Sequence, residues 1–266
     1  MNVLAFDIET VPDVDAGRRL LGLEGLDDRA VAEAMMALRR AESGGSDFLR
    51  LHLHRVAVIS LAGQVAGRFR VWSIGEPGEP EAELVRRFFD GIERTVPVLV
   101  SWNGGGFDLP VLHYRSLIHG VAAPRYWDTG GDDTNFRWNN YINRFHDRHT
   151  DLMDVLSGYQ NRAVAPLDQM AALCGLPGKM GMSGARVWET LLDGGFESIR
   201  NYCETDALNT YLLYLRFECM RGRLDAAGLE IAFDGIRAAL REDGRPHLHE
   251  FLERWDAASG PAPGED

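Results

Sequence analysis

Asp7 and Glu9 stand two residues apart inside the first apolar stretch of the chain, among Leu4, Phe6 and Ile8. In a strand, positions two apart face the same side. Both acids then point one way while the three apolar residues pack the other. Like charges that close repel and raise each other's pKa unless a cation sits between them. Alone, the pair also describes an edge strand with two solvated acids, because such short patterns often arise by chance. A second signal runs from Asn103 through three glycines, 104–106, to Phe107 and Asp108, directly after an apolar run at 97–101. Glycines let the backbone turn sharply and let a ligand approach closely. Asp108 alone reads as a helix cap, and the glycine spacing fits neither common phosphate-binding loop. Third, Tyr202 and Asp206 are four apart and share one helix face. Asp206 precedes the largely apolar Tyr211, Leu212, Tyr214 and Leu215, so it is either a surface acid or one that looks inward at other acids.

These residues need elements to hold them. Val3 to Ile8 reads as a strand, and residues 15–46 as polar helix with Asp27 and Asp28 as caps before a Ser/Gly run at 43–46. Arg55 to Leu61 and Phe69 to Ser73 are apolar runs separated by Gly63 to Gly67, which predicts a hairpin. Glu81 to Glu93 has helical periodicity, and Pro97 to Ser101 is a wholly apolar strand of the kind buried on both faces. Asp108 to His119 reads as a helix, and the pattern degrades from Gly120 to His149. Short helices are expected at 163–176 and 184–193, a long one at 196–221, and one or two within 229–255. Strands in antiparallel style, then strands alternating with helices, predict an α/β fold with a mixed sheet flanked by helices. No repeat or linker marks a second domain. Residues 1–258 are expected to form one domain and 259–266, with Pro261, Pro263 and Gly264, a disordered tail.

The 266 residues are 45% hydrophobic and 26% charged, ordinary for a globular protein. A chain of this size buries roughly three-quarters of its unfolded surface and needs no disulfide staples. No apolar run of about 18 residues suggests a membrane span, and no membrane partner is expected. A formal net charge of −12 argues against coating a duplex by bulk electrostatics. It leaves room for gripping a few phosphates through bound metal, because bound cations invert the local charge logic. Cys174, Cys203 and Cys219 match no zinc or redox spacing and read as reduced, mostly buried thiols. With no signal-peptide pattern at the N-terminus, a cytoplasmic location is expected.

Taken in order, the three signals resemble the DEDD superfamily of 3′–5′ exonucleases, and more narrowly its DEDDy branch. The match is nearest to the stand-alone group similar to the proofreading exonuclease domain of family B DNA polymerases. Supporting stretches are Asp7 to Pro12, Asn103 with Phe107 to Pro110, His149 to Asp154, and Ile199 to Asp206 running on to Arg216. The resemblance extends from residue 3 to about 222. Asn201 stands where the related DEDDh branch carries histidine, which favours the tyrosine branch. The 44 residues after 222 leave no room for a polymerase module, so proofreading in cis is not expected.

The resemblance implies a ribonuclease H-like fold and a metal-dependent 3′–5′ exonuclease acting at the 3′ end of single-stranded nucleic acid, DNA in preference to RNA. By that resemblance Asp7, Glu9, Asp108 and Asp206 match the four metal-binding acids and Tyr202 the catalytic tyrosine. Hard oxygen ligands suit Mg2+ or Mn2+, and two divalent cations are the expected cofactors. Asp7 would bridge both ions, Glu9 and Asp206 would complete the site that activates the attacking water, and Asp108 would serve the ion near the leaving 3′ oxygen. Tyr202, with an ordinary pKa near 10, would orient the water by a hydrogen bond. RNA trimming, hydrolysis of short oligonucleotides and non-catalytic nucleic-acid binding remain alternatives.

Four residues are expected at the substrate in lesser roles, each against a plainer reading. Asn103 orients a ligand or the terminal nucleotide, or merely stabilises a turn. Phe107 wedges against the terminal base or packs in the core. Asp151 supports the site or caps a helix. Lys179, in a glycine-rich loop, touches a phosphate or is a solvated lysine. Within 125–148, Arg125, Arg137, Arg144 and Arg148 interleave with six aromatic residues, a pattern suited to stacking on single-stranded bases. Four aspartates offset those charges, and a packed irregular insertion is the rival reading.

Overall fold

The computed structural model describes residues 2–258, and the expected disordered tail lies outside the described residues. The chain begins with β1 (Val3–Pro12), longer than expected, and continues into α1 (Val14–Leu21) and α2 (Asp28–Ser43). Of the two expected caps, Asp27 closes α2, its carboxylate accepting the Ala30 amide, while Asp28 is already helical. The hairpin is β2 (His54–Val65) and β3 (Arg68–Ile74).

Its turn is tighter than the glycines suggested. Only Ala66 (φ 51°) and Gly67 (φ 78°) take left-handed backbone, the pair a two-residue hairpin turn demands. Gly63 is not in the turn. It pairs with Leu4 inside the sheet, where a Cβ would clash with the carbonyl oxygen of Val3. Gly63→Ala should therefore destabilise the protein by roughly 2 kcal/mol or more, read from a shifted urea midpoint.

The next elements are α3 (Glu81–Thr95), β4 (Val98–Ser101), α4 (Asp108–His119), α5 (Pro124–Trp127), β5 (His149–Asp151) and α6 (Leu152–Leu156). They lead to α7 (Leu167–Leu173), α8 (Val187–Leu192), α9 (Phe196–Met220), α10 (Ala226–Glu242) and α11 (Pro246–Ala258). The sheet order is β3-β2-β1-β4-β5. β1 pairs antiparallel with β2 and parallel with β4, and β4 pairs parallel with β5. This is the mixed α/β sheet flanked by helices expected of a ribonuclease H-like exonuclease fold.

Alternation along β1 splits the core. Leu4, Phe6 and Ile8 pack with Phe88 and Phe89 of α3 and Leu109 and Leu112 of α4. Ala5 packs on the opposite face with Ala207, Leu208 and Tyr211 of α9. Asp7 and Glu9 lie on that second face, under α9. All four residues of β4 are buried, as an inner parallel strand requires.

One buried cation fastens three starts of elements. Arg115 on α4, 3% exposed, pairs with Asp13 (2.5 Å), the cap of α1, and with Glu81 at the head of α3. Glu81 also accepts the Val56 amide (2.6 Å) of β2 and reaches His119 (2.8 Å).

The irregular stretch after Gly120 is mostly a packed insertion. Tyr126, Phe136 and Tyr141 are buried, Tyr141 donates its hydroxyl to the Pro97 carbonyl (2.6 Å), and Arg148 lies over the Phe136 ring (4.3 Å). Trp138, Arg144 and Phe145 stay exposed. The cysteines are all free, but only Cys203 is fully buried, which corrects the expectation for the other two. Among the described residues no helix is long and apolar enough to cross a membrane.

Candidate active site

The acids gather where the C-terminal part of β1, the turn after β4 and the middle of α9 meet. Asp7, Glu9 and Asp206 each offer a carboxylate oxygen, and these oxygens all lie within 4.8 Å of one another. The β1–β2 register shifts between Glu9 and Thr10. An irregularity of this kind bends the strand and re-aims a side chain.

Asp108 stands beside this trio. Its Oδ1 accepts the Ile8 amide (3.1 Å), so one oxygen is spoken for, yet its charge is felt by both Asp7 and Glu9. Burial first, then mutual repulsion, pushes Asp7 and Glu9 well above the usual carboxylate range. Burial likewise pushes Asp108 and Asp206 up to about 7. Four acids that resist ionisation together form a donor set matched to hard divalent cations. The residues present therefore fit Mg2+ or Mn2+.

Tyr202 lies one turn before Asp206 on α9, close enough that the phenol and the carboxylate shift each other's titration. Burial and the surrounding carboxylates raise the phenol's pKa far above its ordinary value. It stays protonated at neutral pH.

Behind Asp7 is a residue the sequence reading treated only as a buried thiol. Cys203 Sγ donates to Asp7 Oδ2 (3.3 Å). A signal existed, because Cys203 lies three residues before Asp206 and shares its helix face. The neighbouring Glu204, 1% exposed, accepts from Arg245 (2.7 Å), His247 (2.7 Å) and Ser73 (2.8 Å). Those contacts tie α9 to the hairpin and to the start of α11, and so fix the rotation of the helix that carries Tyr202 and Asp206.

The glycine turn is built around Asp151. Its carboxylate accepts the amides of Asn103 (2.9 Å) and Gly105 (2.8 Å), and also that of Met153 (3.1 Å), which caps α6. Both of its oxygens are therefore taken by backbone. Asn103 adopts left-handed backbone (φ 66°) and its carbonyl accepts from Gly106 and Phe107. Gly104 leaves no room for a Cβ beside Ser101. These constraints aim Asp108 back at β1.

A cavity of about 560 Å³ opens from Glu9, lined by Thr10, Phe48, His54, Asn103, Phe107 and Trp188. The rings of Phe48 and His54 flank Phe107 at 5.7 and 5.4 Å. Phe48 is 54% exposed although it is a large apolar residue. Phe48, His54 and Trp188 carried no signal in the sequence, since they come from separate segments that only the fold brings together.

Lys179 is exposed on the loop before α8, near enough that its charge lowers Asp206. It is the chain's only lysine. The structure thus brings Asp7, Glu9, Asp206 and Tyr202 together, with Asp108 and Lys179 at their side and Asn103 and Phe107 on the adjoining cavity. A sequence model of a family described as "Predicted 3'-5' exonuclease related to the exonuclease domain of PolB" matches residues 46–255. That span includes Asp108, Tyr202 and Asp206 but begins after Asp7 and Glu9.

Proposed function

The chain belongs to the predicted 3′–5′ exonucleases related to the exonuclease domain of PolB, and from that premise we propose that it hydrolyses the terminal phosphodiester at the 3′ end of single-stranded nucleic acid, DNA in preference to RNA, releasing nucleoside monophosphates. The observation that carries this reading is the convergence of Asp7, Glu9 and Asp206 within 4.8 Å, beneath Tyr202. Asp7, at the centre of the charge cluster, would hold both of two Mg2+ or Mn2+ ions, with Glu9 and Asp206 completing one position and Asp108 the other. Bound there, the ions would acidify the attacking water and offset charge on the attacking and leaving oxygens of an in-line displacement.

The remaining work falls to the chain itself. Tyr202 keeps its proton and orients the water by a hydrogen bond, since its raised pKa unfits it as a base. Asp151 positions Asp108 by holding the glycine turn. The cavity beside Glu9 receives the terminal nucleoside, its base against Phe107 and Phe48 and its edge near Asn103. Lys179 supplies a positive charge for a phosphate oxygen in an otherwise acidic cleft.

Lys179→Ala should lower kcat/KM about tenfold, and Lys179→Arg should recover part of it, as expected for a charge that meets a phosphate. Steady-state hydrolysis of a labelled oligonucleotide reads both. The parent test is the same substrate with Mg2+ or Mn2+. Shortening one nucleotide at a time from the 3′ end, abolished by EDTA, supports the reading. No shortening, or shortening that survives EDTA, removes it. Paired DNA and RNA of one sequence decide the sugar preference.

A further inference from the structure

The carboxyl ends of β1, β4 and β5 lie on one edge of the sheet, where a parallel sheet places its ligand crevice. The acids occupy the β1 side of that edge. Past β5, on the other side of the glycine turn, three side chains stack on one another. Phe145 meets Tyr159 edge-on at 5.0 Å. The Arg144 guanidinium lies 4.4 Å above the Tyr159 ring and 5.2 Å from that of Phe145. The Tyr159 hydroxyl donates to the Arg144 carbonyl (3.1 Å), closing the group.

The group is linked to the site through backbone. The Tyr159 amide donates to the Asp154 carbonyl (2.8 Å), and a Cβ at Gly105 would lie 3.9 Å from the Asp154 carboxylate and 3.2 Å from that of Asp151. Two features are unusual for a merely structural cluster. Phe145 is 71% exposed, and among the described residues Arg144 makes no ion pair, unlike Arg125, Arg221 and Arg223. In addition, Tyr159 is held at φ 61°, directly after Gly158 at the same φ. A bulky residue in left-handed backbone carries strain that surrounding structure must impose, and such strain concentrates at ligand sites.

An exposed ring beside an unpaired guanidinium matches the two faces of a nucleotide, a base to stack and a phosphate to neutralise. Asp154 is the acid nearest this group, half-buried and turned toward the glycine turn. Asp147, three residues after Arg144 in the chain, is occupied by Arg221 (3.1 Å) and Arg223 (2.8 Å). The glycine turn joins the two: Asn103, Gly106 and Phe107 line the terminal-nucleoside cavity, and Gly105 lies against Asp151 and Asp154, to which Tyr159 is hydrogen-bonded. We infer that Arg144, Phe145 and Tyr159 form a stacking platform for single-stranded nucleic acid, engaging a nucleotide upstream of the 3′-terminal one as the strand crosses the carboxylates. This deepens, and rests on, the nuclease reading of the same crevice.

The test measures binding, so it does not depend on turnover. A 5′-fluorescein-labelled twenty-nucleotide oligothymidylate is titrated by fluorescence anisotropy into an Asp108→Asn background that leaves the strand intact. Phe145→Ala should weaken binding about fivefold or more, the loss of one base–aromatic stack, and Phe145→Trp should restore it. Arg144→Ala should reduce the slope of log affinity against log salt by about 0.7, one phosphate contact on a single strand. Unchanged affinity in Phe145→Ala overturns the platform. So does a loss that Phe145→Trp fails to restore, or an unaltered salt slope in Arg144→Ala, each of which marks the cluster as packing alone. Failure of the nuclease reading shows separately, as wild-type protein that does not shorten the oligonucleotide.

Discussion

Asp7→Asn will slow 3′-end shortening by about a thousandfold or more, because it removes the one acid shared by both proposed metal positions. The same change will raise the melting temperature of the metal-free protein at pH 8. The sign follows from the direction of the shifts. Asp7 and Glu9 are held well above the usual carboxylate range, and Asp108 and Asp206 near 7, chiefly by burial. In the unfolded chain these groups lose their protons near pH 4. Between about pH 4 and 7 the unfolded chain releases protons that the folded one keeps, so folding weakens as pH rises through that window. Stability from the neutral cluster is fully present below it and lost above it.

Asparagine at residue 7 removes one of the crowded charges while keeping the shape. Thermal melts in EDTA should show a gain at pH 8 and little change at pH 5. Added Mn2+ should stabilise the wild type at pH 8 and stabilise the variant far less. A variant that loses stability equally at both pH values would mean that Asp7 is a structural acid and not a metal ligand.

Arg115→Met is expected to cost about 3–5 kcal/mol, because it strands buried carboxylates without their cation. Asp13 and Glu81 have side chains only 10% and 7% exposed beside Arg115. Methionine fills the volume but pairs with neither. The starts of α1, α3 and β2 would lose their common anchor together. Urea unfolding measures the loss, and a second substitution, Glu81→Gln, should be less than additive with the first because both remove one network. Full additivity would show the three groups to be energetically independent.

The elements that position the site were legible where a single physical signal dominated. The alternation in β1 placed Asp7 and Glu9 on one face, and the four-residue spacing on α9 joined Tyr202 to Asp206. The helix at Asp108–His119 was bounded as expected. Gly63 was misread because glycine signals a turn far more often than a close approach between strands. β5 was missed because three residues, His149–Asp151, carry no alternation of their own and form a strand only by pairing with β4. Asp151 illustrates a different limit. Its type suggested chemistry, but its partners are backbone amides from two segments, and no spacing along the chain reveals those. The cavity residues Phe48, His54 and Trp188 lie outside every motif for the same reason.

Apart from eight histidines the other basic side chains of this protein are arginine, and neither imidazole nor guanidinium groups are methylated by reductive alkylation. Aldehyde and hydride treatment should therefore place methyl groups at Lys179 and at the chain's leading amine alone. One isotopic reporter then sits beside Asp206 without any engineered residue, and its resonance would follow occupancy of the crevice directly.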